Sequence, residues 1–94
     1  MSVYRVTEFT SPDMGKTKEF AESLREDIAV AGAIFIDVVS MGENKGLVIA
    51  KYENQAAMEA AIKAAKKAFG KMIEAGVVDG ASINAQTGDV VITY

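Results

Sequence analysis

The sequence predicts a single α+β domain in which one antiparallel sheet packs against two helices. Runs rich in β-branched and aromatic residues alternate with two segments whose apolar residues recur at three- and four-residue steps, the spacing of an amphipathic helix. The 94 residues contain no linker or low-complexity segment, and the only internal symmetry is the order strand–helix–strand, present twice. We therefore assign residues 1–94 to one domain.

The first third of the chain is predicted as a strand followed by a helix. Ser2–Thr10 has the composition of a strand. Ser11 is a suitable N-cap, and Pro12 suits the first helical position, where its missing N–H costs nothing. The apolar spacing predicts a helix over Asp13–Ala31, and Gly32 is expected to end it.

The middle of the chain predicts a β-hairpin and a second helix. The hairpin strands are expected at about Ala33–Met41 and Gly46–Tyr52. Asn54 is a suitable cap for the alanine-rich helix that follows, which we expect to end at Gly76. Gly70 is expected either to kink this helix or to separate its last short turn.

The last segment is predicted as a hairpin arm, in which strands Ala81–Ala85 and Asp89–Tyr94 flank the turn sequence QTGD. The full order, βαββαβ with a C-terminal hairpin arm, is the ferredoxin-like pattern. Right-handed crossovers place the first and third strands at the centre of the sheet and both helices on one face. The other face of the sheet is left bare.

Alternation along the strands predicts which side chains occupy this bare face. In the hairpin, the even-numbered residues carry no charge and are expected under the helices, whereas the odd-numbered residues are expected on the bare face. We expect the odd-numbered residues of the first strand on the bare face as well, because this arrangement brings the charged side chains together on one face. The predicted bare face comprises Val3, Arg5, Thr7, Phe9, Phe35, Asp37, Val39, Met41, Leu47, Ile49 and Lys51. So broad an apolar surface predicts a homodimer whose second sheet covers it.

Two opposite charges predict the register of the hairpin. If Met41 pairs with Leu47, Asp37 lies directly opposite Lys51, and such a pair contributes about 0.2–1 kcal/mol. One interpretation is that Asp37, Lys51 and Arg5 form an ion cluster that sets register and dimer geometry. The alternative is that they contact a polar or anionic group of a ligand.

Composition excludes several classes of function. The chain has no cysteine, histidine or tryptophan, so disulfides, thiolate catalysis and metal ligation by cysteine or histidine are excluded. A net charge of −3 and a pI near 4.9 disfavour a nucleic-acid partner. The start MSVYRVTEF lacks the pattern of a signal peptide, and no segment approaches the roughly 20 apolar residues of a membrane span. We expect a soluble cytoplasmic protein without a cofactor.

The chain resembles the dimeric α+β barrel superfamily. The passages IAVAGAIFIDVV, from helix to strand, and LVIAKYENQAAMEAA, from strand into a capped helix, are similar to its antibiotic-biosynthesis-monooxygenase-like members over nearly the whole chain. The resemblance implies a homodimer that packs two bare sheet faces together and encloses an organic ligand. The family's histidine and tryptophan sites have no counterpart here. The resemblance leaves two activities open: binding of a small molecule without catalysis, and a cofactor-independent oxygenation in which an electron-rich phenolic substrate itself activates oxygen.

The candidate site is the polar cluster of the predicted bare face. We expect Arg5 to bind an anionic or carbonyl group, Asp37 to bind a hydroxyl group or act as a weak general base, and Lys51 to orient Asp37. The remaining members of the expected site are Thr7 and the apolar walls Phe9 and Phe35.

The same order of elements allows rival interpretations. KGLVIAKY resembles the central-strand motif of an RNA-recognition domain, but its stacking positions are Leu47 and Ile49, which have no aromatic ring. An acylphosphatase needs a Gly-rich phosphate loop near the N-terminus, and a metal chaperone needs a CxxC motif; the chain has neither. The serious alternative is a non-catalytic regulatory or dimerisation module of ferredoxin-like fold.

Overall fold

One four-stranded antiparallel sheet with helices on one face makes up the fold. The computed structural model describes residues 2–29, 32–42 and 44–94. Its elements are β1 (Val3–Thr10), α1 (Met14–Ser23), α2 (Arg25–Ala29), β2 (Phe35–Ser40), β3 (Lys45–Tyr52), α3 (Gln55–Glu74), a 3₁₀ turn (Gly80–Ser82) and β4 (Asn84–Asp89). The strand order is β2-β3-β1-β4. The first and third strands are therefore central, and the predicted ferredoxin-like fold is confirmed.

The first helix is capped by Asp13, not by the predicted Ser11. The Asp13 carboxylate accepts hydrogen bonds from the backbone N–H groups of Gly15 (2.9 Å) and Lys16 (3.2 Å). Ser11 is buried instead, with its hydroxyl oxygen 2.7 Å from that of Thr17. Ser11 thus joins the loop to the helix rather than starting it.

The segment predicted as one helix over 13–31 forms two. α1 ends at Ser23, whose hydroxyl donates to the carbonyl of Phe20 (2.6 Å), a local bond that competes with the helical pattern. Leu24, at the break, is buried in the core. The predicted helix end at Ala31 lies outside the described residues.

The long helix α3 follows its prediction closely. The Asn54 side chain accepts a hydrogen bond from the backbone N–H of Ala57 (2.8 Å), which confirms the cap. The helix runs across Gly70 to Glu74, because buried residues on both sides of the glycine hold it against the sheet. Gly70 therefore does not separate a last turn. Gly76 has a φ of 75° and follows the end of the helix, as predicted.

The hairpin register differs from its prediction by two residues. Asp37 pairs with Ile49 and Lys51 pairs with Phe35, so the predicted pairing of Asp37 opposite Lys51 is wrong. The backbone N–H of Met41 donates to the carbonyl of Lys45 (2.8 Å) and closes a shorter turn than the predicted one. A surface charge pair contributes too little to overcome the preferred turn.

The face assignment was right for the hairpin and wrong for β1. Arg5 pairs with Ala50 and Thr7 pairs with Val48, and cross-strand partners share a face of the sheet. Both β3 residues are even-numbered and face the helices, as predicted. Phe9 is buried in the same core, only 2% exposed. The prediction that Val3, Arg5, Thr7 and Phe9 lie on the bare face is therefore wrong, because burying Val3 and Phe9 outweighs grouping the charges.

The C-terminal hairpin arm is replaced by a single strand and an extended tail. The predicted turn sequence QTGD lies inside β4, which pairs along β1 from Val3↔Asp89 to Glu8↔Asn84. The free edge of β1 offers a longer ladder of hydrogen bonds than a local hairpin could provide. The backbone N–H of Val90 continues the ladder to the carbonyl of Ser2 (2.9 Å). Beyond it the tail is open to solvent, with Val91 89% exposed and Ile92 64% exposed.

Candidate functional site

A groove on the helix side of the sheet separates β2 from α1 and α2. It encloses about 650 Å³. Its apolar wall includes Ala21, Ile28, Ile36 and Val38. Val38 is 45% exposed although its side chain points to the helix side, because the groove lies between it and the helices.

At its inner end the groove adjoins a smaller cavity of about 70 Å³ between the sheet and α3. The four apolar residues named above line both spaces. The α3 wall of the cavity includes Ala64, Ala65 and Ala68, whose short side chains leave the space unfilled. The alanine-rich sequence of α3 thus creates the cavity as well as favouring the helix.

Three polar side chains line this inner cavity: Arg5, Thr7 and Tyr52. They lie on the two central strands, and Tyr52 pairs with Val3 two residues from Arg5. Thr7 and Tyr52 are buried, whereas Arg5 is half-buried. The surface of the cavity is almost entirely apolar, and the polar atoms of these three side chains contribute little of it.

The electrostatics of the cavity favour a negatively charged ligand group. The two ion pairs among the described residues join Arg25 to Glu22 and Lys71 to Asp27, so Arg5 takes part in neither. Burial raises the pKa of the Tyr52 phenol above its ordinary value of 10.0, and the positive charge of Arg5 offsets part of that rise. Tyr52 is therefore protonated at neutral pH and can donate a hydrogen bond.

The mouth of the groove carries exposed charges from α1 and α2. Lys18, Glu22 and Arg25 line it. The Arg25 guanidinium binds the Glu22 carboxylate through Nη2 at 2.7 Å and Nε at 3.0 Å. This pair already neutralises Arg25, which leaves Lys18 as the unpaired cation among the described residues of the entrance.

The opposite face of the sheet, which we call the bare face, carries the second group of predicted site residues. Alternation and pairing place there Tyr4, Val6, Glu8, Phe35, Asp37, Val39, Lys45, Leu47, Ile49 and Lys51. The rings of Tyr4 and Phe35 pack edge to face with centroids 6.0 Å apart. The Lys51 Nζ lies 5.7 Å from the centroid of the Tyr4 ring, within cation–π range.

The predicted site residues are therefore divided by the sheet. Arg5 and Thr7 line the inner cavity. Phe9 belongs to the core, edge to face with Phe69 at 6.1 Å between centroids. The other three, Phe35, Asp37 and Lys51, lie on the bare face. No single small ligand can contact both groups.

Sequence reasoning missed Tyr52 as a site residue. The signal that could have found it was its even number in the hairpin, which predicted a side chain under the helices. This signal identifies Tyr52 only if the odd-numbered residues of β1 are also placed under the helices, because Arg5 and Tyr52 then line the same cavity.

Two further features can be stated for the described part of the chain. Within residues 2–29, 32–42 and 44–94, no group of three or more acidic side chains is arranged to hold a metal ion. No helix in these ranges has both the length and the apolar composition that crossing a membrane requires.

Comparison with known proteins identifies the fold. No family profile matches the sequence, and no curated protein matches it at a significant level. Among solved structures, a protein of unknown function from Nitrosomonas europaea is similar with a TM-score of 0.79 at 9% identity, over 99% of this chain and 92% of that one. A dimeric ferredoxin-like protein from an uncultured marine organism gives 0.69 at 14% identity, over 99% and 90% of the two chains.

An enzyme is also among the similar structures. SnoaB, a cofactor-independent oxygenase from Streptomyces nogalater, gives a TM-score of 0.70 at 13% identity, over 98% of this chain and 95% of that one. At such low identities the similarity shows the ferredoxin-like fold. The structural neighbours of this fold thus include dimeric proteins, a cofactor-independent oxygenase and proteins of unknown function.

Proposed function

We propose that this protein binds a small aromatic molecule with an anionic group, a phenol or an aromatic acid, in the groove and its inner cavity. The observation that carries the proposal is Arg5, a half-buried residue that lines the inner end of an apolar space and takes part in neither ion pair of the described residues. A charge in such surroundings is costly unless an anion accompanies it. A carboxylate or phenolate oxygen would accept a charge-assisted hydrogen bond from Arg5.

The dimensions of the space support a ligand of this size. The groove of about 650 Å³ falls within the roughly 300–1,000 Å³ that ligand pockets span. The adjoining cavity of about 70 Å³ would take only the anionic end, between Arg5 and Tyr52. The ring system would lie in the groove against Ile28, Ile36 and Val38.

As the activity at this site we propose a monooxygenase-like oxidation of a phenolic substrate that needs no cofactor. The fold similarity to SnoaB supports this chemistry. Arg5 would stabilise the ionised phenol, the electron-rich form that reacts with oxygen. Tyr52, held protonated by burial, would donate a hydrogen bond to an oxyanion that develops on the substrate. Asp37 lies on the other face of the sheet, so it has no part in this mechanism.

We further propose that the protein is a homodimer joined through the bare face. The support is the apolar area of that face, to which Tyr4, Val6, Phe35, Val39, Leu47 and Ile49 contribute. Phe35 is 37% exposed in the single chain, and large apolar patches on soluble proteins mark interaction sites. Light scattering at micromolar concentration should give about twice the 10.0 kDa mass of the chain. A stable monomer would contradict the dimer.

The ligand proposal is tested by calorimetric titration with 1,4-dihydroxy-2-naphthoic acid, a probe that carries phenol and carboxylate groups. Arg5→Met should weaken binding by at least about tenfold, because a hydrogen bond to a charged group contributes about 1.5–3 kcal/mol. Arg5→Lys should restore part of the affinity. Lys67→Met removes a positive charge from an exposed position on α3 and should leave binding unchanged. Equal affinities for the wild type and Arg5→Met would contradict the site.

The alternative function is a non-catalytic module that binds the same class of ligand. One observation favours it: among the described residues that line the inner cavity, none is a carboxylate or another neutral-pH base. Oxygen uptake with the probe, without added metal or flavin, separates the two functions. Uptake together with a product that has gained one oxygen atom and lost two hydrogen atoms, the second atom of O2 leaving as water, supports the enzyme. Binding without uptake supports the module.

A further inference from the structure

We propose that Asp37 of each subunit pairs with Lys51 of the partner subunit, and that this reciprocal ion pair makes a second copy of the chain the occupant of the bare face. The inference rests on the dimer proposed above. Its starting point is the hairpin register, which places Asp37 opposite Ile49 and Lys51 opposite Phe35. Neither charge belongs to an ion pair of the described residues.

The position of the Lys51 side chain keeps the two charges apart within one chain. The Lys51 Nζ lies near the Tyr4 ring on β1, whereas Asp37 is on β2, on the other side of β3. The Lys51 ammonium is therefore directed away from Asp37. Both groups remain available to a molecule that covers the face.

The bare face carries four charged side chains, Glu8, Asp37, Lys45 and Lys51, and burial of its part around Asp37 and Lys51 requires partners for these two. An apolar partner would leave a carboxylate and an ammonium desolvated and unpaired, which is strongly unfavourable. A suitable partner must therefore present one anion and one cation at matching positions. The bare face itself presents this combination, so it is complementary to a second copy of itself.

Two-fold symmetry makes the complementarity geometric as well as chemical. In a symmetric dimer, if residue i of one subunit contacts residue j of the other, then j contacts i. Asp37 is a diagonal neighbour of Lys51 in the hairpin, at the roughly 7–8 Å typical of such positions. A two-fold axis that passes between them forms both intersubunit pairs at once. The result is a compact cluster of four alternating charges.

Charge reversal tests the inference by sedimentation equilibrium. Asp37→Lys and Lys51→Asp should each raise the dimer dissociation constant at least about tenfold, because like charges then face each other twice. The double variant with both reversals should dimerise like the wild type. A mixture of the two single variants should form heterodimers, because every facing pair is again of opposite sign. Recovery in the mixture also shows that the single variants are folded.

Matched controls reverse charges on exposed positions of α3. Glu59→Lys and Lys67→Asp change the net charge equally and should leave dimerisation unchanged. Single reversals that dimerise normally, or a mixture that stays monomeric, would overturn the inference. Lys51→Asp could also restore dimerisation when mixed with Glu8→Lys but not when mixed with Asp37→Lys. That result would identify Glu8 as the partner of Lys51 and would overturn the inference. A monomeric wild type would instead refute the underlying dimer, so the two failures are distinguishable.

Discussion

The two faces of the sheet bury their apolar residues by different means. On the helix side, Phe9 is 2% exposed and packs within the chain. On the bare side, Phe35 is 37% exposed and its ring packs edge to face against Tyr4. The helix side is packed except at the groove between β2 and the first two helices and at the cavity that the alanines of α3 leave beside Arg5. The contrast teaches that a fold can pack one surface of its sheet against its own helices and leave apolar residues of the other surface exposed.

The largest expected effect compares these two phenylalanines. Phe9→Ala should lower the free energy of unfolding by about 3–5 kcal/mol, the usual cost of emptying a buried aromatic position. Phe35→Ala should cost less, and its cost should grow with protein concentration, because the proposed dimer would bury a ring that is 37% exposed in the single chain. Urea denaturation at two protein concentrations measures both. If both substitutions lower the free energy of unfolding by the same amount at both protein concentrations, the two faces do not differ in this way.

A glycine in β3 sharpens the same contrast. A Cβ added to Gly46 would come within 2.3 Å of the Phe9 ring, whereas one added to Gly88 in β4 would meet nothing within 4 Å. Gly46→Ala should therefore destabilise the protein by about 1–3 kcal/mol through overpacking. Gly88→Ala is the matched control and should stay within about 0.5 kcal/mol of the wild type. Thermal denaturation compares the two variants. A Gly46→Ala variant as stable as the wild type would contradict the packing described for Phe9.

The C-terminal tail extends the comparison beyond the sheet. Val91 and Ile92 are exposed and of high β-propensity, next to a strand whose outer edge is unpaired in the described residues. Removing residues 91–94 should raise the dimer dissociation constant severalfold. It should change the free energy of unfolding of the dilute monomer by less than about 0.5 kcal/mol. Sedimentation and denaturation of the truncated chain check both parts. An unchanged dimer would show that the tail lies outside the interface.

The smallest effect concerns pH and the cavity. Because burial raises the pKa of Tyr52 above 10.0, the folded protein holds the phenol proton more tightly than the unfolded chain does. This contribution to the free energy of unfolding is fully present below about pH 10 and is lost as the pH rises through the raised pKa. Tyr52→Phe should remove that loss. Arg5→Met should raise the Tyr52 pKa further, because the offsetting positive charge is gone.

Denaturation curves and phenolate absorbance between about pH 8 and pH 12 measure these shifts. Subtracting the titration curve of Tyr52→Phe from that of the wild type isolates the Tyr52 phenol from the other two tyrosines. An Arg5→Met variant in which Tyr52 ionises at lower pH than in the wild type would contradict the placement of Arg5 beside it.

Local signals in the sequence predicted most of the fold. The Asn54 cap, the strand β1 and the inward face of the hairpin all depend on neighbouring residues, and all were predicted correctly. The predictions were wrong where the outcome depends on tertiary packing. In β1 both alternating sets mix apolar and polar residues, so only the packing of Phe9 over Gly46 decides the face.

The other errors have equally physical causes. A two-residue slip in a hairpin leaves every side chain on the same face, so the hydrophobic pattern cannot detect it. The QTGD segment has turn chemistry, but the free edge of β1 overrides that preference. Arg5 and Thr7 were predicted in one polar cluster with Asp37 and Lys51, whereas they line a cavity on the other face of the sheet, opposite the alanines of α3.

The central claim is that the helix side holds a ligand at Arg5 while the bare face holds a second copy of the chain. A high-resolution crystal structure of the protein as purified tests it most directly. The account predicts two chains joined through their bare faces, Asp37 within 4.0 Å of Lys51 of the partner subunit, and an anion or organic molecule bound to Arg5 in the groove. A bare face open to solvent, with Arg5 paired to a protein carboxylate and the cavity filled by side chains, would contradict it.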